Sequence, residues 1–180
     1  MSAALQSVQP TMSAAEWEIR CDLAAVYHIN HLLGWTDTIN THMSVRVPGE
    51  PNHFLINDYG QMFDEVTASS FCKMDMDGNV LSAGSRFNNA GFTIHSGVYK
   101  ARPDANCVLH THTRDGIAVS AQRAGVLALS QQSIFVLASM AYHDYEGVAL
   151  RDAEKPRLVA DLGACRFFML RNHGLLTVGA

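Results

Sequence analysis

The hydrophobic period of this chain changes at Gly34, and that change restricts its fold more than any other feature. Before it, Trp17, Leu23, Ala24, Tyr27 and Leu32 recur at helical spacing. They follow Ser13-Ala14-Ala15-Glu16, whose S-x-x-E form predicts a capping box at the start of a long amphipathic helix. Beyond Gly34 the period drops to two. Met43, Val45 and Val47 alternate with Ser44 and Arg46 until Pro48-Gly49 interrupts the run. His53-Phe54-Leu55-Ile56 reads as a second short strand, closed by Asp58-Tyr59-Gly60. Residues 73–76 and 79–81 flank Asp77-Gly78, a hairpin signature. Helical spacing returns from Gly91 to Ala101 and stops before Pro103. Residues 107–112 read as a strand with one buried face, 114–123 and 153–162 as helices, and 125–129 as a short strand or loop. Arg166 to Leu170 reads as a buried strand leading into Asn172-His173-Gly174.

Runs of both periods interleave with no internal repeat and no linker, so a single α/β domain is expected over residues 13–180. Residues 1–12, small and polar, read as a flexible leader. The chain closes on Val178-Gly179-Ala180, after an apolar strand with no helix behind it. That pattern suggests a truncated C-terminus, the 180 residues being part of a longer protein.

Composition removes several function classes. Hydrophobic residues make up 48% of the chain and charged residues 17%, the proportions of a folded protein rather than a disordered one. A formal charge of −4 with no Lys/Arg run leaves no electrostatic footprint for nucleic acid. Met1 to Pro10 lack the basic start and apolar stretch of a signal peptide, and no window is apolar enough to span a membrane. Cys21, Cys72, Cys107 and Cys165 are scattered without a C-x-x-C pair and read as free buried thiols. A cytoplasmic protein is expected.

The histidines carry the chemical signal. His110 and His112 lie one residue apart on a strand, so both imidazoles share one face. A divalent ion asks for three or four ligands at about 2.0–2.2 Å, and such a pair supplies half of them. Spacing alone leaves open that they are polar residues of a half-exposed strand. His173, at the end of the other buried strand, is a candidate for the third ligand. His28 and His31, at i and i+3 of the first helix, read as surface or satisfied core residues, and His53 and His143 as loop or strand-edge residues.

The block from Asn88 to His112 resembles the class II aldolase/adducin family. So do Ala141-Tyr142-His143-Asp144-Tyr145, Leu170-Arg171-Asn172-His173-Gly174, His53-Phe54-Leu55-Ile56 and Glu65-Val66-Thr67-Ala68-Ser69-Ser70. These blocks run in order through nearly all of the chain after residue 15, and they are closer to the adducin head-domain branch than to the sugar-phosphate aldolases. The resemblance implies a three-layer α/β/α sandwich with a mostly antiparallel central sheet. It also implies a homo-oligomer, tetrameric in the aldolases, and a divalent metal on His110, His112 and His173. Zinc is the first expectation, while imidazole ligands also suit iron or manganese.

The departures from the family pattern matter as much. Gly91 stands where the aldolases carry a glutamate that binds the metal or moves a proton. Asn89 and Ala90 stand where Ser-Ser holds a phosphate, and Thr41-His42-Met43-Ser44 replaces a Gly-Asn-x-Ser phosphate cradle, keeping only the serine. Ser130-Gln131-Gln132 occupies the region from which the aldolases bring a neighbouring subunit's tyrosine, and the next tyrosine is Tyr142. A conventional phosphosugar aldolase is therefore not expected. What the resemblance supports is a metal-dependent enzyme acting on a small carbonyl or carboxylate compound. The reaction expected is a lyase-type C–C cleavage or decarboxylation through a metal-stabilised enediolate. No acid or base is assigned in that scheme. His42, Tyr59 and Asn89 are the expected substrate contacts, and His95, one helical turn beyond Gly91, stands behind them. An iron-dependent oxygenase on the same scaffold is a variant. A non-catalytic adducin-like assembly domain is the competing class, against which the retained histidines weigh, since such a domain has no evident need of an open metal site.

Overall fold

A computed structural model describes residues 12–180, so all but the last residue of the expected leader lies outside the described residues. The chain runs α1 (Ala14–Leu32), β1 (His42–Val47), β2 (Glu50–Ile56), β3 (Cys72–Asp75), α2 (Asn89–Ala101), β4 (Cys107–Thr111) and α3 (Arg114–Ser120). It continues with α4 (Gln131–Leu137), β5 (Met140–His143), α5 (Lys155–Leu162), β6 (Phe167–Leu170) and β7 (Gly174–Gly179). The strands form one seven-stranded sheet in the order β3-β2-β1-β4-β7-β6-β5. Every neighbouring pair is antiparallel except β5 with β6. This is an α/β fold around a mixed, mostly antiparallel sheet.

Helices cover both faces of the sheet. Leu23 and Tyr27 of α1 pack with Met43, Val45 and Leu55 on one side. On the other, Ile94 and Val98 of α2 and Leu158 and Leu162 of α5 pack with Phe54, Ile56, Val108, Phe168 and Leu176. The alternation in β1 suggested one wet face, but α2 lies over it, so His42 and Ser44 are buried as fully as Met43 and Val45. Polar side chains enclosed in this way must find partners within the protein.

Local signals and packing disagree at three places. Ser13 Oγ accepts from the Glu16 amide at 3.0 Å, as a helix N-cap does. The Glu16 carboxylate completes no capping box. It is 2% exposed and pairs instead with Arg20 and with Lys73 Nζ, each at 2.8 Å. The buried face of α1 therefore runs Glu16, Arg20, Leu23, Tyr27, Asn30, leaving Trp17 and Leu32 exposed. The hairpin at Asp77-Gly78 forms its turn, with Asp75 Oδ1 accepting from the Asp77 and Asn79 amides, but its second arm shrinks to one bridge between Met74 and Val80. Cys21 is exposed rather than buried, and all four thiols are free. Among the described residues no helix is long and apolar enough to cross a membrane.

Candidate functional site

Antiparallel pairing of β1 with β4 sets His42 opposite His110, on the face that α2 covers. Their rings lie 5.0 Å apart. Thr111 ends β4, so His112 sits just beyond the strand, yet its Nε2 still lies 2.9 Å from His110 Nε2. The third imidazole arrives by a turn. Asn172 takes the left-handed conformation (φ 56°), reversing the chain between β6 and β7, and His173 Nε2 comes to 3.2 Å from His110 Nε2. Gly174 permits this closeness, because a Cβ there would stand 2.7 Å from the Thr111 carbonyl oxygen and 2.9 Å from the His112 ring. One ring nitrogen from each of the three histidines lies within 4.8 Å of the others.

The outer hydrogen bonds decide what these nitrogens present. His110 Nδ1 donates to the Leu175 carbonyl at 2.9 Å, and His112 Nδ1 donates to Asp37 Oδ2 at 2.8 Å. A neutral imidazole carries one proton, and both rings have committed theirs outward. With both rings neutral, two Nε2 lone pairs face each other at 2.9 Å with no hydrogen between them. Protonating His110 to relieve this is opposed, since burial and the neighbouring His42, His173 and His112 hold its pKa well below the ordinary histidine value. Burial, with His112, likewise holds His173 to about 4. Two nitrogens each about 2.1 Å from one ion, at angles from a right angle to the tetrahedral, lie about 3.0–3.4 Å apart. The donor set fits a divalent cation, and an outer carboxylate on a ligand histidine is the usual companion of such a centre.

An open cleft of about 500 Å³ leads to the cluster. His42, Tyr59, Asn88 and Tyr145 line it together with the three histidines. Asn89 does not: Asn88 and Ala90 form that wall, while Asn88 Oδ1 caps α2 by accepting from the Ala90 and Gly91 amides. His95 stands behind the cleft, fully buried, with Nε2 at 2.8 Å from His42 Nδ1. Burial, with the nearby His110, holds its pKa to about 3. Gly91 lies against the face of the His42 ring, where a Cβ would sit 3.0–3.1 Å from Cδ2, Cγ and Nε2. The space that a side chain at position 91 would take is thus filled by His42.

The remaining sequence candidates fall elsewhere. His28 bonds the Val66 carbonyl and His53 bonds Glu50. His143, on edge strand β5, is buried against Asp161 at 2.7 Å. Tyr142 donates no proton into the cleft; its hydroxyl accepts from the Val126 amide and its ring lies under Arg171. Sequence reasoning did not single out Asp37 or Tyr145. Asp37 carries no motif, whereas Tyr145 lay within one of the family blocks.

Comparison with known proteins bears on the family and the fold. The family described as the class II aldolase and adducin N-terminal domain matches residues 21–180. A Pseudomonas aeruginosa protein named only for its resemblance to class 2 aldolases is 57% identical over 173 residues, covering 96% of this chain and 66% of its own length. Alpha-adducin of Mus musculus is 45% identical over 165 residues, covering 89% of this chain but 22% of the adducin. The crystal structure of an aldolase II superfamily protein from Pseudomonas syringae superposes with a TM-score of 0.90 at 55% identity, covering 93% of this chain and 68% of that one. With the family matched over most of its length and its fold reproduced, the chain belongs to the class II aldolase and adducin N-terminal domain family.

Proposed function

We propose that this chain is a divalent-metal-dependent enzyme of the lyase type that acts on a small carbonyl or carboxylate compound. In this reading His110, His112 and His173 hold the ion. The observation that carries it is the pair of Nε2 lone pairs meeting at 2.9 Å, both rings having spent their proton on an outer partner. Three imidazoles suit zinc first, with iron and manganese compatible. A divalent ion held there supplies Lewis acidity to a carbonyl or carboxylate oxygen.

The chain's own side chains supply the rest. Asp37 orients His112, and the Leu175 carbonyl orients His110. His42, Tyr59 and Tyr145 stand around the cleft and can hydrogen-bond a small polar substrate. Among the described residues no lysine or arginine lines the cleft, which supports an unphosphorylated substrate. Leu129, Ile134 and Phe135, exposed on and just before α4, support a homo-oligomer.

The test is metal analysis of protein purified without chelator. About one ion per chain is expected, and none would refute the reading. His110→Ala should lose the ion while keeping the fold and the assembly. Loss of the assembly together with the ion would favour an adducin-like assembly domain instead.

A further inference from the structure

Behind the cleft runs a line of four buried polar groups. The Tyr99 hydroxyl lies 2.8 Å from Ser44 Oγ, Ser44 Oγ bonds His95 Nδ1, and His95 Nε2 lies 2.8 Å from His42 Nδ1. All four residues are at most 3% exposed. Counting protons along this line gives its direction. Among the described residues Ser44 is the one hydrogen-bond partner of the Tyr99 hydroxyl. Suppose His42 donated to His95, His95 to Ser44 and Ser44 to Tyr99. The Tyr99 proton would then be buried with no acceptor, disfavouring that direction by roughly tenfold to hundredfold. Suppose instead that Ser44 accepted from both neighbours. Its own proton would then be stranded. Only one arrangement leaves no proton buried within the line without an acceptor: Tyr99 donates to Ser44, Ser44 to His95 Nδ1, and His95 Nε2–H to His42 Nδ1, whose ring lines the cleft. The single proton of neutral His42 is then on Nε2.

We propose that His42 serves the cleft as a hydrogen-bond donor through Nε2–H, taking an anionic oxygen of the substrate, with Ser44 and His95 as the positioning residues that set its tautomer. This rests on reading the cleft as the substrate site. It reverses the polarity that a carboxylate at position 91 would bring, since a carboxylate accepts where His42 donates. With its lone pair committed to His95, His42 is also barred from being a fourth ligand, although its ring lies 5.0 Å from that of His110. The class of substrate that fits is a small hydroxy or oxo acid, whose carboxylate oxygen can accept from His42.

The tautomers can be read in metal-free protein with ¹⁵N-labelled histidine, because two-bond proton–nitrogen spectra distinguish a protonated ring nitrogen from a bare one. His42 and His95 should each carry their proton on Nε2. A proton on His42 Nδ1 would overturn the proposal, and this reading needs no variant. Ser44→Ala, which removes the hydroxyl that donates to His95 Nδ1 without touching the cleft, should let the opposite tautomer appear at His42 and His95. Unchanged populations in that variant would remove the positioning role. In zinc-loaded protein, glycolate should shift the His42 Nε2–H resonance and bind roughly tenfold to hundredfold more weakly to His42→Ala. Equal affinity would refute the donor role. Failure of zinc to bind would strike the metal reading while leaving the tautomer result standing.

Discussion

Replacing Gly91 by alanine sets a methyl group 3.0–3.1 Å from three atoms of the His42 ring, closer than packed carbons normally approach. The ring cannot step aside cheaply, being 3% exposed and tied to His95 at 2.8 Å. Overpacking of this kind costs about 1–3 kcal/mol. The gain from removing a glycine inside a helix is at most about 1 kcal/mol, less in the first turn where Gly91 sits. A net loss of about 1–2 kcal/mol follows for Gly91→Ala in the native background. In a His42→Ala background the ring is gone, and the same change should be neutral or stabilising by up to about 1 kcal/mol. Urea unfolding of the four metal-free proteins would measure the coupling, expected at about 1–3 kcal/mol. If Gly91→Ala shifts the midpoint equally in both backgrounds, then His42 is not what excludes a side chain from position 91. By the same geometry Gly91→Glu would push His42 off His95 instead of restoring the acid of the aldolases.

Two further outcomes follow from the outer partners of the site. Asp37→Asn leaves the three imidazoles in place but weakens the hydrogen bond that orients His112, so ion affinity should fall about 10- to 100-fold in chelator competition. Unchanged affinity would mean that Asp37 only decorates the site. The metal-free protein should also lose stability on acidification. His95 stays neutral down to about 3, whereas an unfolded chain protonates its histidines near 6.5. The unfolded state therefore binds the extra proton, so stability is greatest above pH 6.5 and falls toward pH 3. The slope is about 1.4 kcal/mol per pH unit for each such histidine. His95→Gln should flatten the slope between pH 7 and 5 by one proton's share, and an identical slope would show that His95 is not shielded.

Where residues close in the chain decide an element, the reading held. Ser13 caps α1, Pro103 follows the end of α2, and the strands read at residues 43–47, 53–56, 107–112 and 166–170 became β1, β2, β4 and β6. Short segments settled by distant contacts were not visible. α4, seven residues long, is too brief for a helical period to show, and β5, four residues at the sheet edge, exists because β6 pairs with it in parallel. At the site, strand periodicity placed His110 and His112 on one face, and the family blocks pointed to His173. The sequence also marked Gly91 and His42 as two separate departures from the aldolase pattern. Folding made them one. β1 pairs with β4 while α2 crosses above, so the His42 ring fills the space over Gly91 and leans on His95. The amino-acid sequence by itself thus determined the period, the strand faces and the residues available as ligands, because these depend on neighbours a few positions away. Tertiary structure alone decided which nitrogens meet, which protons are committed outward and which way the buried hydrogen bonds run, because each depends on groups brought together from separate elements.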